Sequence, residues 1–174
     1  MAIADQLASL LADSPMRDAS LYMLRNIPGF PPIIQTIHIL AIAVVMGSIV
    51  MIDLRMLGLA VRSQQISEMI RRLMPWFWTA LVTLAISGSF FVFARPARYF
   101  NNPVFIWKFT FLLPALILAL VLHLLSRREV DFWGRSGSRL LTGRLIALTS
   151  LGLWIMVAMA GRWIAYSEYL YYPA

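Results

Sequence analysis

Five ionisable side chains stand inside, or at the edges of, long apolar runs: His38, Asp53, Lys108, His123 and Arg162. Groups of this kind are costly to take out of water, so each is a candidate for chemistry. A helical rise of about 1.5 Å per residue sorts them by depth. His38 then lies roughly 8 Å, and Lys108 about 6 Å, inside the nearer end of its run, and Arg162 falls within a turn of its run's end. Asp53 and His123 share a second level at the opposite end. The two levels are roughly 20 Å apart, too far for one metal ion to take both histidines.

A neutral imidazole beside two cations makes sense around something that bears a metal and is also anionic. Haem b meets both conditions. His38 would ligate the iron, as histidine commonly does. Lys108, Arg162 and Arg95 or Arg98 would neutralise the propionates, with arginine gripping a carboxylate in forked geometry. Gln35, one turn before His38, is placed to hydrogen-bond a ligand or a propionate. Small residues at Ala41, Ala43, Gly47, Gly88, Ala160 and Gly161 would let a flat macrocycle approach the backbone. The plainer alternative keeps His38 as a hydrogen bond across helices and lets Lys108 and Arg162 snorkel to the interface. Met159 stands at a depth suited to a sixth ligand, while Met46, Met51 and Met156 fit core packing. Copper is a further alternative; it would want several histidines or methionines at one level, and only His38 with Met159 comes close.

At the second level Asp53 is placed to orient His123 through a ring nitrogen, as carboxylates do behind metal-bound histidines. That arrangement would suit a second haem on His123, a proton relay or quinone chemistry. The alternative pairs Asp53 with Arg55 or a loop arginine and leaves His123 meeting water at the interface.

The elements that must position these groups follow from composition. Of 174 residues, 60% are hydrophobic and 13% charged, against about 25% charged in a soluble domain. A transmembrane helix needs about 20 apolar residues, and such runs occupy residues 33–54, 74–94, 104–126 and 145–165. The expected fold is an all-α integral membrane four-helix bundle whose consecutive spans are antiparallel neighbours. Arginine placement sets its orientation. The first and third connections carry nine arginines, whereas the amino-terminal region and the second connection carry four. Short basic loops face the cytoplasm, which puts both termini outside and points to a bacterial inner membrane. Trp76, Trp78, Tyr99, Trp107, Trp163 and the tyrosines 166, 169, 171 and 172 fall near the interfaces, as an aromatic belt does.

Ahead of the first span, Ile3, Leu7, Leu10 and Leu11 line one helical face. Ser14-Pro15 reads as a helix start, and the segment from Ile27 to Pro32 as a turn. Residues 1–30 are therefore expected as amphipathic helices on the outer leaflet, not as a signal peptide, because Asp5 interrupts an apolar core before it begins. Ser63–Arg72 reads as a short cytoplasmic helix or turn and Arg135–Arg139 as a solvated loop. The net charge of +7 belongs to topology rather than to nucleic acid, since no groove-lining patch of arginines forms. Cysteine is absent, which excludes disulfides, thiolate metal sites and thiol nucleophiles. No phosphate-binding glycine loop, paired-histidine helix motif or nucleophile elbow is present.

The stretch Ile37-His38-Ile39-Leu40-Ala41, with Met46-Gly47 and Asp53-Leu54-Arg55, resembles the first span of HemJ-type protoporphyrinogen oxidases and of the copper-resistance D-type membrane domain. It is most similar to an uncharacterised group of four-span bacterial proteins, beginning at Ile34-Gln35-Thr36-Ile37-His38. The likeness extends through Pro75-Trp76, Ala80-Leu81, the segment Ala94-Arg95-Pro96-Ala97-Arg98-Tyr99, and Asn102-Pro103-Val104-Phe105 leading to Lys108. The resemblance implies that His38 matches a haem-ligating histidine and Lys108 a functionally important lysine. Two departures separate haem binding from porphyrinogen oxidation. Val44-Val45-Met46-Gly47-Ser48 replaces a tryptophan- and glycine-rich segment, and Leu122-His123 stands where that family carries a tyrosine-histidine pair. The expected function is electron transfer by a cytochrome-b-like membrane protein, with quinone or a redox protein as partner and an oligomer or complex as its setting. A porphyrinogen-oxidase-like enzyme and a cofactor-free anchor subunit are the rivals.

Overall fold

The computed structural model describes residues 2–128, 132–133 and 136–167. Two short helices come first, α1 (Ala2–Ala12) and α2 (Pro15–Asn26), the second with proline in its first turn, where a backbone N–H has no helical partner to lose. Gly29 then adopts φ +79°, a left-handed conformation open to glycine, and turns the chain into α3 (Phe30–Leu57). Gly58, at φ +77°, closes α3 by donating its N–H to the Arg55 carbonyl, as a glycine just past a helix end does. There follow α4 (Ile66–Ala94), the single-turn α5 (Pro96–Phe100), α6 (Pro103–Arg128) and α7 (Gly137–Trp163), which runs on into a 3₁₀ turn, Ile164–Tyr166.

Helices α3, α4 and α6, and α7 with its 3₁₀ turn, are long and apolar enough to cross a membrane. The chain is an all-α, multi-pass membrane protein. Two helices begin earlier than the apolar runs suggest. Ile66–Leu73 is continuous with the second span through Pro75, because Met69, Ile70 and Met74 bury themselves in the core while Arg71 and Arg72 stay on the exposed side. Helix α7 opens at Gly137, inside the segment expected as a loop, where the Ser136 hydroxyl accepts the Arg139 N–H at 3.3 Å and so caps the helix. Arg135 lies outside the described residues, as do Tyr169, Tyr171 and Tyr172.

Helix α3 packs on α4 and α7, α6 on α7, and α4 more sparingly on α6, giving a ring of antiparallel neighbours. At one end α1 rests on α5 and α2 on α4; this is the capped end. The α3–α4 and α6–α7 connections form the other, arginine-rich end. Asn102 ties the capped end together. Its amide donates to the Ile164 carbonyl and the Ser167 hydroxyl at 3.2 and 2.9 Å, and its carbonyl accepts the Val104 N–H at 3.0 Å.

Packing is uneven along the bundle. The core comprises Val45, Ile49, Ile52 and Met56 of α3, Met69 to Phe77 of α4, Ala115, Ala119 and Leu122 of α6, and Ala147 and Trp154 of α7. Nearly all of it belongs to the arginine-rich half. In the capped half, α6 buries no residue between Val104 and Ala115, and α4 buries only Ser87 between Ala80 and Ala94. Lipid tails are as apolar as leucine, so close side-chain packing rather than water exclusion holds spans together. The arginine-rich half is therefore the mechanical base on which the open half stands.

Candidate functional site

His38 sits on the packing stripe of α3, in register with buried Ala41 and Val45 at i+3 and i+7. Facing it from α4 is Ser87, buried, with its hydroxyl 2.7 Å from His38 Nδ1. The same hydroxyl lies 2.6 Å from the Thr83 carbonyl. A hydroxyl carries one hydrogen, and at that distance the Thr83 carbonyl takes it. Ser87 Oγ must then accept from His38 Nδ1–H, which leaves the Nε2 lone pair as the ring's unprotonated face. This is how histidines are held when Nε2 serves as a ligand. Gly88 completes the cradle, since a Cβ there would stand 3.3 Å from His38 Cε1, and its absence lets the ring lie close to the α4 backbone.

Lys108 enters from α6, half-buried and without an ion pair among the described residues. Its ammonium is near enough to the His38 ring for the two to interact electrostatically. The structure thus sets Lys108 within electrostatic range of His38 and adds Ser87 and Gly88 at the ring.

Other expected partners do not converge there. Arg162 is exposed and turns to Tyr166, donating to its hydroxyl at 2.9 Å and lying 5.0 Å over its ring. Gln35 and Arg95 are exposed. Arg95 precedes α5 and Arg98 lies within it; burial pushes the Tyr99 phenol above its ordinary value, and the two charges offset part of that rise. Met159 is exposed, and Gly47 and Gly161 have no neighbour that a Cβ would meet within 4 Å. Of the three glycines singled out by sequence, Gly88 alone makes a close approach to His38. Ser87 escaped the sequence reading, although Thr79, Thr83 and Ser87 recur at i+4 and each returns its hydroxyl to the carbonyl one turn back. That ladder is the signal that would have exposed it.

At the second level the expected pairings do not form. Asp53 is fully buried, yet neither carboxyl oxygen has a hydrogen-bond partner among the described residues. Arg55 points elsewhere, because residues two apart on a helix face different ways; its guanidinium donates to the carbonyls of Gln64 at 2.6 Å and Arg62 at 3.2 Å. His123 packs edge-on to Trp78 with ring centroids 6.3 Å apart, and its Nδ1 is buried without a partner. The neighbour that does approach Asp53 is Ser150 of α7, whose hydroxyl lies beside the carboxyl outside good hydrogen-bond geometry.

Among the described residues, no three histidine or carboxylate side chains are grouped to hold a metal ion. Haem makes a smaller demand on the protein, one or two axial ligands; His38 is the one imidazole here that could supply such a ligand, with Lys108 unpaired among the described residues.

Residues 28–167 match a family of unknown function, DUF6644. The chain belongs to that family. No curated protein and no solved structure matches it.

Proposed function

We propose that this membrane protein binds haem b through His38 Nε2 and carries electrons in a bacterial inner membrane. The observation that supports this reading best is the His38–Ser87 pair. Its hydrogen bond commits Nδ1, and the Ser87–Thr83 contact fixes which atom holds the proton, leaving Nε2 ready to ligate. A serine hydroxyl behind the ring also raises the imidazole's basicity and limits its rotation. Lys108 would then face a propionate as a point charge. Haem held in this way supplies reversible one-electron chemistry. The expected likeness of His38 and Lys108 to positions in HemJ-type proteins points in the same direction.

Orientation belongs to the same proposal. The connections that carry nine of the thirteen loop and amino-terminal arginines face the cytoplasm, so the capped end, with its haem, faces the periplasm. Helices α1 and α2 then cover the site from the periplasmic side, where a quinone headgroup or a redox protein would exchange electrons.

The test is a pyridine haemochrome assay on protein purified in mild detergent, beside His38→Ala. Haem b co-purifying in stoichiometric amount, and lost in the variant, is the expected result. A colourless, iron-free preparation from cells supplied with haem precursors would sink the proposal.

A further inference from the structure

The second polar level carries a separate inference, independent of the haem reading. Asp53 is 0% exposed, between Ile52 at 1% and, one turn either way, Ile49 at 0% and Met56 at 2%. Helix α7 faces it with Ala147, Ser150 and Trp154, spaced i, i+3 and i+7 and all buried. Helix α4 adds Met69, Ile70, Met74 and Phe77, the last edge-on to Trp154 at 5.5 Å. Below Met56 lies Trp133, which is packed on Gly143 and closes the core toward the arginine-rich end.

This is a polar constellation in an apolar shell. Both oxygens of Asp53, the hydroxyl of Ser150 and the indole N–H of Trp154 are buried, and none has a partner in good hydrogen-bond geometry among the described residues. Among the described residues, no charged group is paired with the carboxylate. On α3 itself, Arg55 is committed to the carbonyls of Gln64 and Arg62. On α4, Glu68 and Arg72 pair with each other at 2.6 Å and Arg71 is exposed. On α7, Arg144 is exposed with its guanidinium near Gly58. On α6, His123 is turned to Trp78 and Arg127 is exposed.

We propose that Asp53, with Ser150 and Trp154, forms an intramembrane proton-exchange site whose carboxyl carries a proton at neutral pH. An ionised carboxylate is acceptor-only and needs donors or a counter-charge in such a place. The neutral acid needs neither, and its O–H can be offered to Ser150. Uptake forms one O–H bond on Asp53 with a proton from water. Release breaks that bond and returns the proton to water, and no electrons move. The indole N–H of Trp154, one turn further along α7, is a second buried donor without a partner among the described residues.

Infrared spectroscopy of the full chain at neutral pH tests this, with wild type compared with Asp53→Asn in H₂O and in D₂O. The expected wild-type spectrum contains the carbonyl stretch of a protonated carboxyl, absent from the variant and displaced in D₂O. Ser150→Ala keeps the carboxyl and is expected to move the same band, which covers the case in which Asp53→Asn fails to fold. An ionised carboxylate, including one whose band responds to sodium, would overturn the proposal. So would a protonated band that D₂O leaves unmoved, which would mark a sealed structural acid. A band unmoved by Ser150→Ala would contradict the site as composed.

Discussion

The two halves of this bundle treat a polar side chain in opposite ways. In the capped half His38 is half-buried, bonded to Ser87 through one ring nitrogen, and faced by stretches of α4 and α6 that bury little besides Ser87. In the arginine-rich half Asp53 sits in close-packed apolar side chains with no hydrogen-bond partner. Both groups carry a desolvation cost, the larger one falling on the wholly buried Asp53. The open half meets it with a directed hydrogen bond and keeps an accessible lone pair. The packed half leaves the charge itself as the only quantity that can change. Space, more than residue type, decides whether a buried polar group becomes a ligand or a proton carrier.

That contrast can be broken by substitution. Ile49→Ala, at a fully buried position of the packed half, is expected to cost about 2–5 kcal/mol. Ile39→Ala, 57% exposed on the same helix, should stay within about 0.5 kcal/mol; thermal unfolding in detergent compares the two. Equal losses would mean that the halves are packed alike. Gly143→Ala comes next. Its Cβ would stand 2.9 Å from both Met56 Cε and Trp133 Cε3, an overpacking worth about 1–3 kcal/mol. Gly88→Ala meets His38 at 3.3 Å instead, so it should displace the ring and lower haem content with a smaller loss of thermal stability.

Ser87→Ala sharpens the comparison further. Removing the group behind a ligating histidine weakens ligation by roughly 10–100-fold, so haem retention on dilution should fall by that factor while the fold persists. Unchanged retention would reduce the pair to a helix crossing. The smallest effect is expected for Arg162→Gln. Its guanidinium is engaged with Tyr166, so haem content should match wild type, and a clear loss would return Arg162 to the site.

Much of the fold could be read from apolar runs alone, because a membrane span is a property of length and composition. Spans three and one ended within a few residues of expectation, and the Ser14-Pro15 and Gly29 signals marked their turns. Helix starts at Ile66 and Gly137 were not legible, since they depend on Met69, Ile70 and Gly143 finding partners on distant segments. The same limit governed the polar residues. Depth along a helix placed His38 with Lys108, and Asp53 at a separate level, correctly. Rotation about the helix axis was invisible, so Ser87 was missed, Arg162 was expected to face inward, and Asp53 was offered His123 or Arg55 as partners when it has neither.

The most direct test is a reduced-minus-oxidised absorption spectrum taken on wild type, His38→Ala and Asp53→Asn at equal protein concentration. A b-type spectrum in wild type that vanishes in His38→Ala and survives in Asp53→Asn is the predicted result, because the proposed ligand lies in the open half alone. A spectrum that survives His38→Ala, or that is lost equally in both variants, would contradict the division of the bundle into a ligand-binding half and a packed, proton-carrying one.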